Sequence, residues 1–163
     1  MNLESAMAGA IMIAICIVPF ISMSRGRKKR DKQMLQSLIE IAKQHYCQIS
    51  QHEFCGDFVI GIDEIKNFIF FHKHLKNRVI EQFIDLTNIK NCKVINLSRS
   101  IKTEEGIQKV IDKLELTFIP TSKDKSEITL EFFNSDVTTQ LYGELPTIEK
   151  WSKLINDRLK LNK

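Results

Sequence analysis

The sequence predicts an α+β chain that is mainly β: an N-terminal transmembrane helix, an amphipathic helix, then a seven-strand antiparallel barrel or two-sheet sandwich closed by a C-terminal helix. Three observations carry that reading. The 20 residues between Glu4 and Arg25 bear no formal charge. The apolar period changes from helical to alternating near Tyr46, and it turns helical again after Pro146.

At about 1.5 Å per residue, the uncharged run is long enough as a helix to cross roughly the 30 Å of a bilayer's hydrocarbon core. A helix also bonds its own backbone, which lipid cannot do for it. A cleaved secretory signal has its basic residues before the apolar run and small residues after it. Here the order is reversed: Glu4 precedes, and Arg25, Arg27, Lys28, Lys29, Arg30 and Lys32 follow. Residues 1–24 therefore read as a transmembrane anchor, 25–32 as a basic juxtamembrane stretch, and 33–163 as one folded domain. Lys and Arg beside a spanning helix stay on the cytoplasmic side. The N-terminus is expected outside and the domain in the cytoplasm, with the membrane as partner through residues 5–24. The six basic residues are the predicted lipid-headgroup contacts, since cations beside an anionic leaflet are attracted to it.

Charge narrows the function classes. Of the formal net +4, residues 25–32 supply +5 and residues 1–24 supply −1, so the domain is neutral. A nucleic-acid-binding domain carries a basic excess to neutralise phosphates, and none is present outside the juxtamembrane run. Three of the four cysteines, Cys47, Cys55 and Cys92, fall in the domain. In a reducing cytoplasm they read as small apolar core residues rather than a disulfide framework.

The elements follow in order. From Asp31 to Tyr46, the residues Met34, Leu35, Leu38, Ile39, Ile41 and Ala42 recur at helical spacing for two heptads, too few for a coiled coil, so this helix is expected to dock on the domain. Strands are predicted at Gln48–Phe54, Phe58–Asp63, Phe68–His74, Val79–Leu86 and Lys93–Ser100, from their β-branched and aromatic content. The polar segment Lys102–Lys109 reads as a loop or single helical turn. Leu114, Leu116 and Phe118, then Ile128, Leu130 and Phe132, alternate with polar residues as a two-strand meander. Thr147 is the expected cap of a final helix whose stripe is Ile148, Trp151, Leu154, Ile155 and Leu159.

Seven strands and a tryptophan-bearing closing helix resemble the pleckstrin-homology-like fold. The stretches GIDEIKNFIFFHK and FIDLTNIKNCKV are also similar to uncharacterised single-pass membrane proteins of Bacteroidetes bacteria, over roughly residues 34–160. That resemblance implies an inner-membrane location and no particular activity. Phosphoinositide-binding members of the pleckstrin-homology class carry a basic first loop. The early loops here, Cys55-Gly56-Asp57 and Asp63–Asn67, are neutral or acidic, which favours protein binding over lipid recognition by the domain.

Chemical motifs are sparse. No phosphate-cradling glycine loop, G-x-S-x-G, H-E-x-x-H or C-x-x-C occurs, and the six glycines form no dinucleotide fingerprint. His45, Cys47, His52, Cys55, His72 and His74 are the one set of metal-ligating types, but at spacings that match no common zinc motif. The carboxylate pairs Asp63-Glu64 and Glu104-Glu105 sit in predicted turns, where solvated surface charge is their ordinary role. No catalytic, cofactor or metal residue is assigned. The expected function is a membrane-tethered cytoplasmic binding or scaffold domain with a protein partner. The alternatives are an enzyme with a scattered site and a lipid-recognition module.

Overall fold

The structure, a computed structural model, describes residues 26–104 and 106–161. Helix α1 occupies residues 26–44. It is followed by β1 (Gln51–Cys55), β2 (Phe58–Asp63), β3 (Phe68–His74), β4 (Val79–Asp85), β5 (Ile89–Thr103), β6 (Gly106–Pro120), β7 (Ile128–Asn134) and α2 (Glu144–Leu161). The strands form two antiparallel sheets, β1-β2-β3-β4 and β5-β6-β7. Of the two predicted arrangements the sandwich is the one formed: among the described residues no strand of one sheet pairs with the other, so no barrel closes. The predicted spanning helix, residues 1–24, lies outside the described residues, and among those described no helix is long and apolar enough to cross a membrane.

Alternation explains the main core. Leu114, Leu116 and Phe118 of β6 and Leu130 and Phe132 of β7 face Phe58, Ile60, Ile62, Ile69, Phe71 and Ile84 of the first sheet, and α2 adds Ile148, Trp151, Ile155 and Leu159. The rings of Phe58, Phe71 and Phe132 meet at centroid distances of 4.6 to 5.7 Å. Trp151 is fully buried, and its indole N–H donates to Glu53 Oε2 at 2.8 Å.

β2 does not alternate because both its faces are covered. On the outer side α1 lays Met34, Leu38, Ile41 and Ala42 against Val59 and Phe70, forming a second apolar layer. This is the docking that the helical spacing predicts. Gly61 permits the close approach: a Cβ there would lie 2.9 Å from Leu38 Cδ2, 3.1 Å from Ile49 Cγ2 and 3.3 Å from the Gln51 carbonyl oxygen.

Side chains rather than backbone ladders bridge the gaps between sheets. Buried Lys73 of β3 reaches β7, its ammonium donating to the carbonyls of Glu131 (3.2 Å) and Phe132 (3.4 Å). Gln82 of β4 donates to the Thr129 carbonyl at 3.2 Å. Elsewhere, Asn156 of α2 clasps the edge of β5, accepting from the Cys92 N–H at 3.0 Å and donating to the Cys92 carbonyl at 2.9 Å.

Several boundaries differ from the sequence expectation: β1 starts at Gln51 rather than Gln48, β5 runs from Ile89 to Thr103 rather than from Lys93 to Ser100, and three further differences bear on the site. α1 is already helical at Gly26, so the basic run and the amphipathic stretch are one helix. α2 starts at Glu144 rather than at Thr147: the Thr147 N–H bonds the Gly143 carbonyl at 3.2 Å, and Pro146 sits in the first turn, where its missing N–H costs no helical bond. The largest difference is at Lys102–Lys109, which is no loop. Ser100, Ile101, Lys102 and Thr103 pair with Lys109, Gln108, Ile107 and Gly106. Gly106 (φ +129) and a bond from Thr103 Oγ1 to the Gly106 carbonyl at 2.9 Å turn the chain. Because the pairing of β6 with β7 ends at Lys113 and Asn134, the far halves of β5 and β6 extend as a two-stranded arm.

Candidate functional site

The predicted lipid-contact residues occupy the first turns of α1. Arg25 lies outside the described residues. Arg27, Lys28, Lys29 and Lys32 are exposed, and Lys43 continues the basic exposed face toward the end of the helix. Arg30 is also exposed but engaged: its guanidinium donates to the Gly56 carbonyl at 2.7 Å, tying α1 to the β1–β2 turn. Gly56 suits that turn, with φ +54 and Glu144 Oε1 only 2.9 Å from where a Cβ would stand. The buried Glu144 carboxylate in turn accepts from the Tyr142 N–H.

Arg30 lines two clefts. One, of about 580 Å³, runs along Arg27, Asp31, Asp57, Tyr142 and Glu144. Burial raises the Asp57 carboxyl above its ordinary pKa, with Lys73 and Arg30 opposing the rise. The other, of about 680 Å³, is lined by Gln33, Ser37, His72, His74 and Glu81. His72 is buried, with Nδ1 3.2 Å from Glu81 Oε1, whereas His74 is exposed. A third cleft of about 510 Å³ lies beside α1, between Leu35, Ile39, Tyr46, Ile49 and His52.

The histidines and cysteines do not converge. His45 meets Phe83 at a tilt of 38° with ring centroids 3.7 Å apart, and His52 meets Phe54 edge-on at 5.3 Å. Cys47 belongs to the layer under α1, while Cys55 and Cys92 lie in the core between the sheets. Burial pushes the Cys55 and Cys92 thiols up to about 11 and raises Cys47 as well, so none is a ready thiolate. Among the described residues no group of three or more His, Cys, Asp or Glu side chains is placed to hold a metal ion.

Asp63 is the carboxylate with a definite structural task. Burial opposes its charge, but bonds from the backbone N–H groups of Lys66, Gln48 and Ile65 outweigh that and hold its pKa below the ordinary value. It organises the β2–β3 turn. Sequence reasoning missed this role, although a buried Asp at a strand end followed by a polar turn is a recognisable Asx-type signal. It also missed the arm, whose exposed apolar residues Ile101 and Ile107, like Ile95 and Leu97 at its base on β5, have no partner in the core. The chain matches no protein family, no curated protein and no solved structure.

Proposed function

We propose that this chain is a membrane-tethered binding or scaffold domain, anchored by residues 1–24 and facing the cytoplasm, with the exposed cations of α1 against lipid headgroups. The observation that carries this reading is that the basic turns and the sheet-packed turns are one helix, fastened by Arg30 to the β1–β2 turn. Whatever holds Arg27, Lys28, Lys29 and Lys32 at a surface therefore orients the whole domain. The division into four and three strands and the tryptophan-bearing closing helix support a pleckstrin-homology-like fold. Lipid contact then belongs to the helix rather than to the early loops, and the exposed arm is the surface offered to a protein.

The test is sedimentation of the 25–163 fragment with anionic vesicles. Each cation beside the leaflet contributes about 1 kcal/mol, so Lys28→Gln, Lys29→Gln and Lys32→Gln together weaken binding by roughly two orders of magnitude. Salt releases the parent fragment as the Debye length falls from about 10 Å toward 3 Å. Salt-resistant binding unchanged by the triple substitution would instead assign lipid recognition to the folded body.

A further inference from the structure

We infer that the arm pairs with a second copy of itself, β5 against β5 in antiparallel register about a two-fold axis at Ser98. This names the partner of the binding domain proposed above and rests on that reading.

The backbone of β5 fixes which groups are on offer. Asn156 bonds both the N–H and the C=O of Cys92 from outside the sheet, so the even-numbered residues of β5 turn their polar backbone groups away from β6. Among the described residues no hydrogen bond reaches those groups at Val94, Asn96, Ser98, Ser100 or Lys102. The extra residue at the register shift, Asp112, is on β6, so the alternation along β5 continues into the arm. An unpaired edge of this length is a template for another strand.

The side chains favour a second copy and one register. With Ser98 opposite Ser98 of a second copy, Ile95 meets Ile101 on each side of the axis, Leu97 meets Arg99, Asn96 meets Ser100 and Val94 meets Lys102. No like charges oppose. Ile95, Leu97 and Ile101, 36, 52 and 38 % exposed in the single chain, gain apolar cover. Moving the axis one residue outward sets Arg99 against itself, moving it one inward, to Leu97, sets Ile95 against Arg99 and Ile101 against Lys93 and so breaks the isoleucine pairs, and moving it two inward sets Lys93 against Arg99 and Lys90 against Lys102. Moving it two outward sets Ile95 against Glu105 and loses the isoleucine pairs. The axis through Ser98 is perpendicular to the sheet, so both copies carry α1 on the same side of the dimer, as two chains tethered to one membrane require.

The test uses the full chain in detergent micelles. Leu97 and Arg99 of the two copies form a non-hydrogen-bonded pair, with Cα atoms about 4.5 Å apart, within disulfide reach. Mild oxidation of mixed Leu97→Cys and Arg99→Cys chains should give a covalent heterodimer, and a mixture of Ile95→Cys with Arg99→Cys should give little. Light scattering should report a dimer. Ser98→Pro should convert it to a monomer with the parent's circular dichroism spectrum, because that N–H serves no bond within the chain. If Ser98→Pro disturbs the fold, Ile101→Lys decides, with loss of the cross-link expected. A monomeric parent, a dimer indifferent to both substitutions, or equal cross-linking in the two mixtures would overturn the inference. If such a failure coincides with intact, salt-sensitive vesicle binding, only the pairing is wrong; if vesicle binding fails too, the tethered-domain reading falls with it.

Discussion

Replacing Gly61 with alanine perturbs the contact that joins α1 to the sheet. The new methyl would stand 2.9 Å from Leu38 Cδ2, a fully buried atom with nowhere to turn, and 3.3 Å from the backbone oxygen of Gln51. Overpacking of this kind costs about 1 to 3 kcal/mol, while the gain in strand propensity over glycine offsets a fraction of it. Leu38→Ala leaves a cavity instead and costs about 2 to 5 kcal/mol. The two changes act on the same space, so the double variant should be less destabilised than the sum of the singles by at least about 1 kcal/mol. Urea unfolding of the 25–163 fragment measures all four corners of the cycle, with shifts in midpoint at an unchanged m-value. Additivity within about 0.3 kcal/mol would mean that Leu38 does not sit on Gly61 and that the docking of α1 is wrongly described.

Two further expectations concern the core and the β2–β3 turn. Trp151→Ala should cost about 3 to 5 kcal/mol in the same unfolding assay, through a cavity between the sheets and the loss of its bond to Glu53; a cost below about 1 kcal/mol would contradict a core position. Asp63→Ala should cost about 2 to 4 kcal/mol at neutral pH, because three backbone donors lose a charged acceptor. The Asp63 pKa is depressed in the folded state, so its contribution is present above the unfolded value near 4 and fades as pH falls through the folded one. The stability gap between the parent and Asp63→Asn should therefore narrow on acidification below about pH 4, and a gap that widens there would refute the assigned ionisation.

How much of this was legible in the sequence depends on whether each residue's role is local. Phe58–Asp63 and Phe68–His74 are read to the residue, because β-branched and aromatic runs bounded by turns specify strands without long-range help. Docking of α1 follows from its apolar stripe, but its start does not: lysines and arginines are good helix formers, and nothing in RGRKKRDK separates a linker from a first turn. The arm was missed because Glu104-Glu105-Gly106 looks like the middle of a loop. In the structure Thr103 already pairs with Gly106, and the flanking polar residues pair as well. Nothing in the local sequence marks Lys73 as buried, because its burial depends on carbonyls of β7 nearly sixty positions away. Among the predicted headgroup contacts that the structure describes, Arg30 makes a tertiary bond, to Gly56, that could not be anticipated from local sequence.

The proposed function holds the domain at the cytoplasmic face of a membrane. Cys47, Cys55 and Cys92 are all buried and make poor topology reporters. Lys123, in the exposed loop before β7, is a better position. A Lys123→Cys chain should stay with the membrane fraction through an alkaline carbonate wash. Its thiol should react with a membrane-impermeant maleimide only after the cells are permeabilised. Labelling in intact cells, or release of the chain into the soluble fraction, would contradict the account.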